Sequence, residues 1–117
     1  MKNVVLITGG FDPIHSGHLE YIRAAKDKGD VLVLGLQSDE WLKYKKGVYF
    51  LPFEERRKVL EAVRHVDKVI SFDDSDGTAY RAIQKVKGMY NGDNIIFANG
   101  GDRTPETAPP EESNIQG

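Results

Sequence analysis

The sequence predicts an α/β protein built on a doubly wound parallel sheet. Three features carry that expectation: short apolar, β-branched runs, stretches of helical apolar spacing between them, and alternation of the two along the whole chain. Alternating strands and helices imply right-handed crossovers, and in such sheets ligands collect at the carboxyl ends of the strands. A chain of 117 residues is long enough to bury a core without disulfides or a structural metal, and too short for a second domain of ordinary size.

Residues 4–8 (Val-Val-Leu-Ile-Thr) form the first strand, apolar on both faces as a buried parallel strand requires, and Gly9-Gly10 turn the chain. From residue 17 to about 28, Leu19, Ile22 and Ala25 recur at helical spacing, with Gly29 as an expected left-handed stop. Residues 31–36 are the second strand. Ser38 and Asp39 are expected to cap a short helix through Trp41 and Leu42. Residues 43–51 lack an apolar period and carry Lys43, Lys45 and Lys46, so a mobile loop is expected there, followed by a helix opened by Pro52 and running to about Arg64. Residues 68–72 read as the third strand, 78–87 as a helix and 94–98 as the fourth strand. Asp73-Asp74-Ser75-Asp76-Gly77 lacks the ligand spacing of an EF-hand loop and reads as a turn and helix cap. The domain is expected to span 1–103, with 104–117, rich in Pro, Glu, Thr and Ser, as a polar loop or tail.

Composition removes several function classes. The absence of cysteine excludes disulfides, thiolate metal sites and cysteine nucleophiles. Residues 1–10 show no signal-peptide pattern and no apolar run is long enough to span a bilayer, so a cytoplasmic protein is expected. A net charge of −2 gives no field for nucleic acid, and any anionic ligand must be held by a local site.

The segment from Gly9 to His18 supplies such a site. It lies between the first strand and the first helix, where Gly9 and Gly10 let backbone approach a ligand and the helix start offers free N–H groups and a positive dipole end to phosphate. His15 and His18, three residues apart, can face one anion together, and Gly17 leaves room above the first turn. The bland alternative makes one histidine a surface residue and the other a cap. Zinc would need a third ligand that the remaining histidine, His65, does not supply at any recognisable spacing. Neither a P-loop nor a Gly-x-Gly-x-x-Gly fingerprint is present.

Gly10-Phe11-Asp12-Pro13-Ile14-His15-Ser16-Gly17-His18 resembles the His-x-Gly-His signature of the cytidylyltransferase-like nucleotidyltransferase superfamily. Arg64-His65-Val66-Asp67-Lys68-Val69-Ile70 is similar to a segment of the glycerol-3-phosphate cytidylyltransferases, as are Gly29-Asp30, Ser38-Asp39-Glu40 and Glu55-Arg56-Arg57. Gly100-Gly101-Asp102 leans toward the heptose-phosphate adenylyltransferase branch. The likeness runs over roughly residues 4–106. It implies a Rossmann-like fold of the nucleotidyltransferase type and transfer of a nucleotidyl group from CTP or ATP to a phosphorylated small molecule, releasing pyrophosphate. The family also has a Ser-Thr-Thr segment that contacts the triphosphate, which Thr104 and Thr107 do not reproduce.

The resemblance and the charges together give expected roles. His15, His18, Lys45 and Lys46 are the catalytic candidates. Gly9, Gly10, Phe11, Asp12, Gly17 and Asp102 would line the nucleotide, with Lys43, Arg56 and Arg64 for the acceptor phosphate. Mg²⁺ is the expected cofactor, with Asp12 as a tentative ligand. Trp41, Tyr44, Tyr49 and Phe50 are left to packing. A homodimer paired around residues 64–70 is also implied. The main alternative is a non-catalytic nucleotide- or phosphate-binding module on the same fold, and a plain interaction domain is a third.

Overall fold

The structure, a computed structural model, describes residues 1–98. Asp102, the domain limit at 103 and the tail at 104–117 lie outside the described residues.

Eight elements follow one another: β1 (Asn3–Gly9), α1 (Ser16–Lys26), β2 (Val31–Leu36), α2 (Asp39–Lys46), α3 (Phe53–Glu61), β3 (Lys68–Ser71), α4 (Tyr80–Met89) and β4 (Asn94–Phe97). The strands form one sheet in the order β3-β2-β1-β4, every pair parallel. The central strand β1 sets the logic. Val4, Val5, Leu6 and Ile7 are all wholly buried, and their alternation sends Val5 and Ile7 to one face and Val4 and Leu6 to the other. On the first face Ile22 and Ala25 of α1 and Leu60 of α3 complete the core. On the second, Ala82, Ile83 and Val86 of α4 pack with Ile95 and Phe97 of β4. Helices on both faces make the sheet doubly wound. Each fully buried Val, Leu or Ile contributes roughly 1.5–3 kcal/mol, so the sheet's central strands anchor the loops at their carboxyl ends.

Two expected features come out differently. Residues 43–46 continue α2 for another turn, ended by Gly47 in the left-handed region at φ 84°. The helix is short and its apolar period brief, so Leu42 is its only buried residue; exposed lysines hid it as a loop. Gly29 is not a left-handed stop: α1 ends earlier, at an Asp27 C-cap of right-handed conformation. Glycine is needed at 29 because a Cβ there would sit 2.6 Å from the carbonyl oxygen of Asn3.

Candidate functional site

The carboxyl end of β1 leads through Phe11, whose φ of 50° is unusual for a side-chain-bearing residue, to His15 at the N-cap of α1. The His15 Nδ1 atom accepts the backbone N–H of Gly17 at 3.1 Å. The His15 backbone N–H donates in turn to Nδ1 of His18, also at 3.1 Å. The two rings stack with centroids 3.9 Å apart, and the Phe11 ring meets His18 edge-on at 5.0 Å. An Nδ1 that accepts a backbone proton carries none itself, so each neutral ring holds its proton on Nε2. Both Nε2–H groups are left as donors. The capping contacts therefore use one nitrogen of each ring and leave the other able to donate to an anion.

Burial, and then the neighbouring His15, hold the His18 imidazole below the ordinary histidine value, which favours this neutral donor form. Gly17 keeps the stack tight, since a Cβ there would lie 2.9 Å from Cε1 of His15. The first turn of α1 carries no acidic residue, so its positive end is not neutralised from within. Gly9 and Gly10 matter differently from expectation: added Cβ atoms would meet the Phe11 ring at 2.9 Å and Leu42 Cδ2 at 2.6 Å. They admit neighbouring side chains that shape the loop.

Asp12 is turned inward. Its carboxylate accepts the backbone N–H groups of Phe50 and Leu51, each at 2.7 Å, and lies 3.6 Å from Nζ of Lys46. Burial opposes its ionisation, but those two N–H groups and the charges of Lys46 and Arg56 outweigh it and hold the carboxyl below its ordinary value. The side chain is closed to solvent. This corrects the expectation that Asp12 touches nucleotide or magnesium: both oxygens already serve protein donors, so the residue does not fit an Mg²⁺ ligand. Among the described residues no three His, Asp or Glu side chains are grouped to hold a metal ion.

The lysines separate. Lys46 bonds the Asp12 carbonyl at 3.1 Å and so stands at the histidine loop. Lys45 turns over the Trp41 ring, with Nζ 5.8 Å from its centroid, and Lys43 is exposed. The arginines do not join them. Arg56 is fully buried, with Nε bonding Leu51 O, Nη1 bonding Gly10 O and Gln37 O, and Nη2 paired with Asp39 at 2.6 Å. A guanidinium so committed cannot reach an acceptor phosphate. Arg64 sits exposed in the turn between α3 and β3, at the amino edge of the parallel sheet, opposite the histidines. Arg56 is thus corrected from phosphate ligand to buried tie, and Arg64 is not brought together with the histidine loop.

Some residues of the site escaped sequence reasoning. Asp39 and Gln37 hold Arg56, and nothing in their local pattern signals it. Asp74 is buried and accepts both the backbone N–H and the hydroxyl of Ser38, each at 2.8 Å. Ser38 does cap α2, its hydroxyl accepting from Trp41 N at 3.1 Å, whereas Asp73 and Asp76 make local turns and α4 has no side-chain cap. Between α2 and the β3–α4 loop lies a cleft of about 610 Å³, walled by Trp41, Tyr44, Phe72, Glu40, Asp73 and Asp76. Trp41 and Tyr44, set aside as packing, border open space there.

No helix among the described residues is long and apolar enough to cross a membrane. The chain is 38% identical over 107 residues to the bifunctional protein HldE of Geobacter metallireducens, a match covering 90% of this chain and 20% of that one. It is 42% identical over 72 residues to the glycerol-3-phosphate cytidylyltransferase of Staphylococcus aureus, covering 60% and 52% respectively. The chain thus spans about a fifth of the first relative and half of the second. Among solved structures, the lipopolysaccharide core biosynthesis protein of Thermoplasma volcanium shares the fold with a TM-score of 0.66 at 24% identity, covering 82% of this chain and 74% of that one. The cytidylyltransferase-like family model matches residues 6–114, and together with the histidine loop at the end of β1 this means that the chain belongs to the cytidylyltransferase-like family.

Proposed function

We propose that the chain is a nucleotidyltransferase that moves a nucleotidyl group from CTP or ATP to a phosphorylated small molecule. One observation carries the reading: the stacked His15–His18 pair spends both Nδ1 atoms on backbone N–H groups and keeps two Nε2–H donors at the unneutralised positive end of α1.

In the reaction an oxygen of the acceptor phosphate attacks the α-phosphorus of the triphosphate. The bond from that phosphorus to the bridging oxygen breaks, and pyrophosphate leaves with the electron pair. Negative charge gathers on the α-phosphoryl and bridging oxygens, where the two Nε2–H groups would donate to it without giving up their protons. Fixed donors of this kind cost no reorganisation as charge develops. Lys46 would add a positive charge at the same loop, and Lys43, exposed on α2 and without a side-chain contact among the described residues, would be available to the acceptor phosphate. Magnesium enters this proposal only as a counter-ion of the triphosphate, since Asp12 offers it no free oxygen. The cleft beside α2 would receive the organic part of the acceptor, its aromatic walls and carboxylates suiting a hydroxyl-rich body. A cytoplasmic location belongs to the same reading.

The test is a matrix of CTP and ATP against phosphorylated polyols and sugars, scored by pyrophosphate release. Release with one pairing is the expected result. Saturable nucleotide binding without release from any pairing would overturn the transfer reading in favour of a non-catalytic binding module. Trp41, the only tryptophan, gives an independent signal, because an acceptor entering the cleft should change its fluorescence.

A further inference from the structure

We propose that Arg56 is a positioning residue that sets the geometry of the histidine loop from beneath, through contacts that hold three loops in one register. Its guanidinium accounts for four hydrogen bonds. Nη1 reaches Gly10 O in the β1–α1 loop at 3.1 Å and Gln37 O in the β2–α2 loop at 2.7 Å, Nε reaches Leu51 O before α3 at 2.9 Å, and Nη2 pairs with Asp39 at the start of α2 at 2.6 Å. The planar fork of arginine suits this divergence of acceptors, and lysine, with a single point of donation, cannot reproduce it.

Two routes lead from these contacts to the imidazoles. Gly10 precedes Phe11, whose ring packs edge-on against His18, so the grip on the Gly10 carbonyl fixes the residue that braces His18. Leu51 is held through both of its backbone polar groups. Its carbonyl bonds Arg56, and its N–H bonds the Asp12 carboxylate three residues before His15. Releasing Arg56 would thus loosen both sides of the histidine loop while leaving the apolar faces of the sheet untouched. A buried charge serving mainly to fill space would leave no such trace on the rings.

The test uses the full chain with Arg56→Lys and Asp39→Asn. The primary readout is the ¹H–¹⁵N correlation of the imidazole rings, which reports which nitrogen carries the proton and needs no substrate. The parent should show His15 and His18 fixed as Nε2–H tautomers. Arg56→Lys should show mixed tautomers at both, with His65, in the turn at the opposite edge of the sheet, as an unchanged internal control. If Arg56→Lys fails to fold, Asp39→Asn, which leaves the three carbonyl contacts in place, is read the same way and should show a smaller change of the same kind. A folded variant whose His15 and His18 signals match the parent would overturn the proposal. The kinetic arm rests on the nucleotidyl-transfer reading: turnover should fall about a hundredfold, the scale of a misplacement of about 1 Å in a reacting constellation. Should no pairing release pyrophosphate while the tautomers shift as expected, the transfer reading fails and the positioning role stands.

Discussion

The two nitrogens of the His15 ring are placed for separate roles, one capping a helix and one proposed to donate to phosphate, and a substitution can divide them. Nδ1 caps α1 by accepting from Gly17, while Nε2–H faces no partner among the described residues. Asparagine is among the best N-caps, and its side-chain oxygen reaches about as far as Nδ1, but it has nothing in place of Nε2. His15→Asn should therefore keep the thermal midpoint close to the parent yet lower turnover by roughly 10²–10³, the scale for one preorganised donor. His15→Ala should lose both, with about 1 kcal/mol of stability going with the cap. Circular-dichroism melts beside pyrophosphate release separate the two; an Asn variant of near-parental turnover would remove His15 from the chemistry. Acid should act in the same direction on His18. Its folded value lies below the ordinary 6.5, so as pH falls through that window the unfolded chain takes up the proton first and stability declines, while above it the contribution is fully present. The sequence made this pair visible because position decided it: two histidines beside two glycines after a buried strand. That they also cap the helix with their other nitrogens depends on ring orientation, which no spacing encodes.

At the scale of elements, the chain's periodicity revealed the four strands and the helices but misjudged what ends them. The second strand matches residue for residue, because six consecutive apolar or glycine residues between Asp30 and Gln37 leave no other reading. Glycines were harder, since the same residue serves a turn or a tight contact. Gly47 has the left-handed conformation and open space around it; Gly29 has neither. Substitution by alanine should discriminate. Gly47→Ala should cost about 1–2 kcal/mol, the strain of a left-handed alanine. Gly29→Ala should cost about 1–3 kcal/mol through overpacking against Asn3 O and Val5 Cγ2 at the base of β1, and should disturb the β1–β2 pairing as well. Denaturant midpoints with amide spectra of Asn3 and Val5 would check it, and a neutral Gly29→Ala with unmoved Asn3 and Val5 signals would count against the packing role. The long-range ties that complete the site, Arg56 to three carbonyls and Asp12 to Phe50 and Leu51, were beyond the sequence for a related reason. All but the Arg56–Leu51 contact join residues 19 to 46 positions apart, and all run through backbone acceptors and donors, which every residue carries and no motif marks.

For the whole molecule, the homodimer remains a proposal, and the structure changes how it should be tested. Asp67, in the segment whose resemblance suggested a subunit contact, is engaged within its own chain: its carboxylate accepts the Leu32 N–H at 2.7 Å and pairs with Lys26 at 2.6 Å. Burial raises its carboxyl, but the Lys26 and Leu32 contacts outweigh it and leave it below the ordinary value, so the ionised form favours the folded chain. Reversing Asp67 would therefore disturb contacts inside the monomer as well as any across a dimer, and could not tell the two apart. Arg64 is the better probe, being exposed at the same junction. Among the described residues β3 is an outer strand, paired on one side only, and its four residues end in exposed Lys68 and Ser71. An isologous contact across this edge would set each junction near its symmetry mate and add burial to a small domain. If that edge is the interface, Arg64→Glu should shift sedimentation toward monomer while the melting profile of dilute protein stays that of the parent, because the residue supports nothing inside its own subunit among the described contacts. A parent that sediments as a monomer at tens of micromolar and still releases pyrophosphate would sink the dimer, and would leave the Arg64–Asp67 junction as the amino-edge support of β3, with Asp67 tying it to β2 and α1 within one chain.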